Sequence, residues 1–518
     1  MGFAKHPLFL AVAFTAFGLL ISLIAANLLP ERRELREALP HNLASSDEQF
    51  RISMGSLFGS NNIPGNAIET LVNGDEIFPS MLKAIEGAKN TITFETYIYW
   101  SGEIADRFAD VLSAKAKEGV SVKVLLDWVG SIPMESRLID KMKQAGVEIV
   151  RFRPIHWYTL DRINNRTHRK LLIVDGRIGF TGGVGIGDEW KGDATSPREW
   201  RDNHYRIEGP AVSELQAAFA EHWIEATGEL LMGDRFFPVL KRAGDKDAQV
   251  VVSSTHHRNV MHLMLMTALA AAEKTIRIGT PYFVPDAVTT QQLLAARRRG
   301  VDVQVIVPGA ETDARVVRKA SRHFWGELLE AGVRIHEFQP TMYHSKIVIL
   351  DEIWTSVGST NIDERALRLN DETNINFYDR DFARSQIALF EADLKRSREY
   401  TWPNGKHGRS RRRSRIGRRA CCGLRSDLRR SVPAKGVDRR GRQIRDGLRR
   451  LRHQIDDDPA EAGFRHLLVD RRESVVAGQQ RPGPRLNGFC DQHLLGVEHT
   501  GKAKVEGLHD SSCSRPGK

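Results

Sequence analysis

Cysteine is missing from the first 402 residues: all four, Cys421, Cys422, Cys490 and Cys513, fall near the end of the 518-residue chain. That region therefore has neither a disulfide framework nor a thiolate metal site. Excess positive charge is missing from it too. Residues 403–518 carry 28 Lys+Arg against 13 Asp+Glu and residues 1–402 carry 48 against 52, so the net charge of +11 belongs to the tail. A slightly acidic body counts against a nucleic-acid groove, which is usually basic. One apolar run stands out. From Pro7 to Leu29 the chain is uncharged and mostly apolar, and about 20 such residues cross a bilayer as a helix. The stretch around Ala25-Ala26 has Leu23 or Ile24 where a cleavage site wants a small residue, so the expectation is an uncleaved single-pass anchor in the cell membrane. Its orientation is open, because Lys5 lies on one side and Arg32, Arg33 and Arg36 on the other.

After a polar spacer the chain turns regularly α/β, and it does so twice. AIEGAKNTITFETYIYW (84–100) is repeated by ALAAAEKTIRIGTPYFV (268–284), and KAKEGVSVKVLLDW (115–128) by ARRRGVDVQVIVPG (296–309). QAGVEIVRF (144–152) returns as EAGVRIHEF (330–338), and THRKLLIVDGRIGFTGG (167–183) as YHSKIVILDEIWTSVGS (343–359). One duplication of about 180 residues accounts for all four. Helices alternating with short β-branched strands imply a mixed or largely parallel sheet flanked by helices. The expected organisation is an anchor over 1–30, a linker over 31–67, a first lobe over 68–232, a second over 233–402 and a tail over 403–518. The tail opens GRSRRRSRIGRRACCGLRSDLRRS, rich in Arg, Gly and Ser with no apolar period. It has the texture of a GC-rich gene read out of frame, and is expected to be a disordered basic segment rather than a lipid- or nucleic-acid-binding arm.

The last of these repeats carries the chemistry. His168-Arg169-Lys170 is followed by Asp175, and His344-Ser345-Lys346 by Asp351, so both read H-x-K-x4-D. A single match arises at roughly one starting position in ten thousand at average residue usage. A lone histidine beside a strand is more often structural, and that reading is given to His156, His204, His256 and His257; core histidines do not recur in register with lysine and aspartate. In a strand, residues i and i+2 share a face, so each His stands beside its Lys. If the two copies pack about a pseudo-twofold axis, both faces meet in one cleft. One neutral histidine can then attack phosphorus while the other protonates the departing oxygen, and the lysines with Asn361 steady the non-bridging oxygens. This chemistry needs no metal and no cofactor. Asp202 and Glu372, downstream of the two motifs, can each accept an imidazole N–H. Asp175 and Asp351 are expected to hold the strand-to-turn geometry. The halves are unequal: Gly358-Ser359-Thr360-Asn361 follows the second motif, where the first has Gly182-Gly183-Val184-Gly185. Gly183 can offer only a backbone N–H where Ser359 has a hydroxyl.

The paired motifs resemble those of the phospholipase D superfamily over roughly residues 68–402. WRDNHYRIEGPAV (200–212) and RLNDETNINFYD (368–379) resemble its bacterial cardiolipin synthase branch. The resemblance implies two duplicated lobes sharing one active site, with His168, Lys170, Asp175, His344, Lys346 and Asp351 as the motif residues. It implies His168 as nucleophile and His344 as acid, though the near-symmetric sequence leaves their order open. It also implies a membrane enzyme of phospholipid biosynthesis acting on glycerophospholipid: a phosphatidyltransferase joining two phosphatidylglycerols into cardiolipin through a phosphohistidine. The alternatives are a hydrolase giving phosphatidic acid and a phosphodiesterase cutting nucleic acid; the acidic body and the apolar run count against the last.

Overall fold

A computed structural model describes residues 37–59, 61–154, 165–254 and 259–401, with 14–15, 17–19 and 35. Most of Pro7–Leu29, residues 155–164 with His156, the residues His256 and His257, and the tail after 401 lie outside the described residues. Among the described residues no helix is long and apolar enough to cross a membrane.

Fifteen strands form one mixed sheet whose order repeats about its middle. At the centre, strand Ile63–Val72 pairs antiparallel with strand Lys246–Val252. Outward on one side run Asn203–Glu208, Ile178–Gly182, Lys170–Val174, Thr91–Thr96, Ser121–Asp127 and Glu148–Phe152. Outward on the other run Thr373–Tyr378, Trp354–Gly358, Ile347–Leu350, Thr275–Gly279, Asp302–Pro308 and Arg334–Phe338, with Ser397–Glu399 added at the edge. The duplicated sequence thus folds into two copies of the same strand order, joined back to back. Within each half the outer three of these repeated strands are parallel, and the motif strand enters antiparallel to them. The lysine of each motif therefore lies at the carboxyl end of the neighbouring strand, where Lys170 sits opposite Thr96.

Among the described residues apolar side chains fill three large cores and a small fourth around Ile306, Phe338, Tyr343 and Phe390. One lies under the first lobe's helices Asn73–Gly87, Glu103–Lys117 and Ser136–Gln144. A second lies under Val260–Ala271 and Ala287–Arg298. The third joins the lobes: Leu171, Ile173, Phe219 and Trp223 pack with Ile347, Ile349, Phe377 and Phe382. A core shared between the lobes removes apolar surface from water at their junction, which makes them one unit.

The segment 31–67 is more than the linker the sequence suggested. It contains helix Glu48–Leu57 and the start of the central strand. Phe50 and Met54, one helical turn apart, and Phe58 beyond them are buried in the second lobe's core. Three apolar residues at that spacing face the core, while Ile52 and Leu57 between them are exposed beside Arg51, Ser53 and Ser56, so the stripe does not stand out in average composition.

Candidate active site

The two motif histidines are placed by reciprocal backbone bridges between lobes. The N–H of His168 donates to the carbonyl of Asp371 at 2.8 Å, and that of Asp371 to Arg166 at 2.9 Å. In mirror fashion His344 donates to Arg201 at 2.7 Å, and Arg201 to Met342 at 2.9 Å. Each bridge brings the next residue of the opposite lobe, Glu372 or Asp202, under an imidazole. His168 Nδ1 lies 3.0 Å from both Glu372 carboxylate oxygens, and His344 Nδ1 lies 2.7 Å from Asp202 Oδ2. Both acids are completely buried. The acid pairing each histidine comes from the other copy, which the spacing along the chain does not reveal.

The lysines are buried beside the rings. Lys170 Nζ donates to the carbonyl of His168 at 2.7 Å, and Lys346 Nζ stands 3.2 Å from His344 Nε2. Burial pushes Lys170 down to about 7 and Lys346 to about 8. Burial, then Lys170, Lys346 and Arg365, hold His168 well below the ordinary histidine range. Burial and Lys346 bring His344 down to about 4. The two carboxylates diverge. Burial lifts Glu372 to about 8. Burial also opposes ionisation of Asp202, but His344, Lys346 and the donors around it outweigh burial and lower its pKa. The ring beside the ionised aspartate is thus the better placed of the two to carry a proton.

Ser359, Asn361 and Gly183 lie in the same place with different jobs. The Ser359 hydroxyl donates to Glu372 Oε2 at 2.5 Å. Asn361 is 4% exposed, and its amide oxygen has no hydrogen-bond partner among the described residues. Gly183 does not offer its N–H to the cleft, contrary to the sequence expectation, because that N–H donates to the Asn203 carbonyl at 3.2 Å. Its contribution is space: a Cβ there would stand 2.2 Å from Asp202 Oδ1. Where the second lobe uses a serine hydroxyl, the first uses Trp190, whose indole N–H donates to Asp202 Oδ2 at 3.0 Å. Gly183→Ser would copy the second motif's sequence yet is expected to lower turnover on the order of tenfold to a hundredfold, by pushing Asp202 off His344. Steady-state rates beside the unaltered protein check this; an unchanged rate would contradict the packing.

Asp175 and Asp351 belong to the motif in sequence but sit at the far ends of their strands. Asp175 accepts the backbone N–H groups of Lys89, Asn90 and Thr91; Asp351 accepts those of Glu273, Lys274 and Thr275. Neither touches a histidine of the site. Each pins the turn before its neighbouring strand.

Sequence reasoning also missed a charged layer beneath His168. His222 Nδ1 is 2.6 Å from Glu95 and its Nε2 is 3.2 Å from Asp371, which also receives Arg153 at 2.6 Å. Glu95 in turn accepts the Thr167 hydroxyl. The only signal was the run of charged and polar letters inside otherwise apolar elements, where an unpaired charge would be costly. Around the rings stand aromatics: Tyr97 against His168, and Trp190 and Trp200 against His344. Among the described residues no cluster of three or more His, Cys, Asp or Glu side chains is arranged to hold a metal.

Known proteins resemble this chain along both lobes. The family described as "Cardiolipin synthase, PLD-like domain" matches residues 81–223 and 265–394, one stretch per lobe. Cardiolipin synthase 2 of Bacillus cereus is 38% identical over 348 residues, covering 66% of this chain and 67% of that protein. Cardiolipin synthase of Alkalihalophilus pseudofirmus is 34% identical over 357 residues, covering 68% and 71%. The fold is similar to that of phosphatidylserine synthase from Haemophilus influenzae, with a TM-score of 0.51 at 15% identity over 68% of this chain and 92% of that one. With both matched stretches contributing a histidine, a lysine and the other's buried acid, this chain belongs to the cardiolipin synthase branch of the phospholipase D superfamily.

Proposed function

We propose that the protein is a phosphatidyltransferase that joins two phosphatidylglycerols into cardiolipin and glycerol. The observation that carries this is the reciprocal pairing of two histidines with acids of unequal basicity, beside two buried lysines. His168, held neutral with Nδ1 toward Glu372, presents Nε2 to phosphorus. The bond from phosphorus to the departing glycerol oxygen breaks as the new P–N bond forms, and His344, steadied by ionised Asp202, gives that oxygen its proton. A bound phosphodiester supplies the anion that raises both lysines and His344 toward their charged forms. Lys170, Lys346 and Asn361 hold its non-bridging oxygens. The glycerol hydroxyl of a second phosphatidylglycerol then yields its proton to His344 and displaces His168. Capture by water instead gives phosphatidic acid, and exclusion of water decides between the two outcomes.

Pro7–Leu29 is assigned as a membrane anchor; Phe14, Phe17 and Leu19, the large apolar residues described within it, are all exposed. Incubating the purified chain with phosphatidylglycerol vesicles and reading the lipids by mass spectrometry tests the reading. Cardiolipin with released glycerol is expected. Phosphatidic acid alone would make the protein a hydrolase, and absence of both products would overturn the lipid reading.

A further inference from the structure

One helix beside the cleft faces outward with the wrong side for a soluble protein. Arg315–Phe324 buries only Ser321, while Val316 and Phe324 are 51% and 46% exposed. Val316, Ala320 and Phe324 recur every fourth residue and so form one outward apolar row. Arg315, Lys319 and His323 recur beside it as an exposed second row. Neither Arg315 nor Lys319 makes an ion pair among the described residues, whereas Arg318 and Arg322, turned inward, both hold Glu337. A cationic row next to an apolar row, on a region with more acidic than basic residues, is the pattern of a helix lying in a membrane interface.

Its position ties it to the cleft. Asp313, just before the helix, accepts the Tyr282 hydroxyl, and its charge acts on His344 and Lys346. Just after the helix, the Trp325 indole N–H donates to the Phe283 carbonyl at 3.0 Å. Phe283–Val284 pairs with Ile362–Asp363, which follows directly on Asn361. Both ends of the helix are therefore fastened to segments that line or support the site.

We propose that helix Arg315–Phe324 docks the catalytic region on an anionic lipid surface. Val316, Ala320 and Phe324 enter the boundary between headgroups and acyl chains, and Arg315 and Lys319 meet headgroup phosphates. This rests on the lipid reading of the active site. Charge complementarity favours a lipid surface over a protein partner, since cations and apolar residues alternate along a single exposed face and the substrate is itself an anionic lipid.

The test uses the full chain and the variant Arg315→Gln/Val316→Ser/Lys319→Gln/Phe324→Ser, all at exposed positions. Two substrates are compared: phosphatidylglycerol in vesicles, with protein reconstituted into them, and a short-chain phosphatidylglycerol dissolved as monomers. Turnover of the vesicle substrate is expected to fall at least about tenfold, each basic residue near an anionic surface adding on the order of a further several-fold in binding, while turnover of the monomeric substrate is unchanged. Equal turnover on vesicles overturns the proposal. Loss on both substrates also overturns it, by making the helix a support of the site. Hydrogen exchange of the unaltered chain is the second measurement: amides of 315–324 should be protected on phosphatidylglycerol vesicles and not on phosphatidylcholine ones. If the unaltered chain turns over neither substrate, the catalytic reading fails, and the exchange result alone decides docking.

Discussion

The His344→Ala protein is expected to release one equivalent of p-nitrophenol from a phosphatidyl ester of p-nitrophenol and then stall, whereas His168→Ala releases none. Neither variant should turn over phosphatidylglycerol, with losses of at least about a thousandfold. The difference arises from the leaving group. Departing p-nitrophenolate needs no proton, so the first half-reaction proceeds without an acid as long as His168 Nε2 is free to attack. The second half-reaction needs a base for the incoming hydroxyl, and without His344 the phosphatidyl-enzyme accumulates. The assignment follows from the environments: both rings are held toward the neutral form, but it is His344 that lies on the carboxylate that stays ionised. A burst in His168→Ala with none in His344→Ala would reverse the roles. Equal loss of the burst in both would remove the division of labour altogether.

Asp393→Ala is expected to cost about 3–5 kcal/mol of unfolding free energy, the magnitude for leaving one buried charge without its partner. Arg201 and Asp393 are 3% and 4% exposed and meet in two parallel contacts of 2.9 Å. Asp393 lies on the second lobe's helix Arg380–Lys395, and Arg201 immediately precedes Asp202. The pair therefore fixes that helix against the segment that delivers the acid to His344. Arg201 also donates to the Asp202 carbonyl at 2.8 Å, so an unbalanced Arg201 disturbs the site as well as the fold. Replacing Arg201 by Met in the same protein should return most of the lost stability, because the penalty lies in the uncompensated charge. Urea midpoints of the two variants check both statements, and a change under about 1 kcal/mol in Asp393→Ala would contradict the buried pair.

Much of this was legible in the sequence where the signal is local or repeated. The H-x-K spacing places two side chains on one strand face whatever surrounds it, and the duplication, seen in four pairs of segments, predicts the repeated strand order. What stayed hidden depends on packing between distant residues. Asp202 and Glu372 stood out as candidates to steady the imidazoles, yet which histidine each serves is decided across 142 and 204 residues of chain. The Gly183 N–H looked available because a sequence does not show that the Asn203 carbonyl already takes it. Trp190 reads as an ordinary core aromatic until its N–H is seen on Asp202. Helix Glu48–Leu57 escaped because its buried Phe50 and Met54 are interleaved with exposed Ile52 and Leu57 as well as polar residues, so no single face stands out along the sequence.

The exchange of acids between lobes has a consequence for how activity can be lost. A motion that parts the lobes withdraws Asp202 from one ring and Glu372 from the other in the same movement, since each acid rides on the opposite half. Neither imidazole keeps its acid without the other doing so, and the single junction between the halves therefore sustains both rings at once.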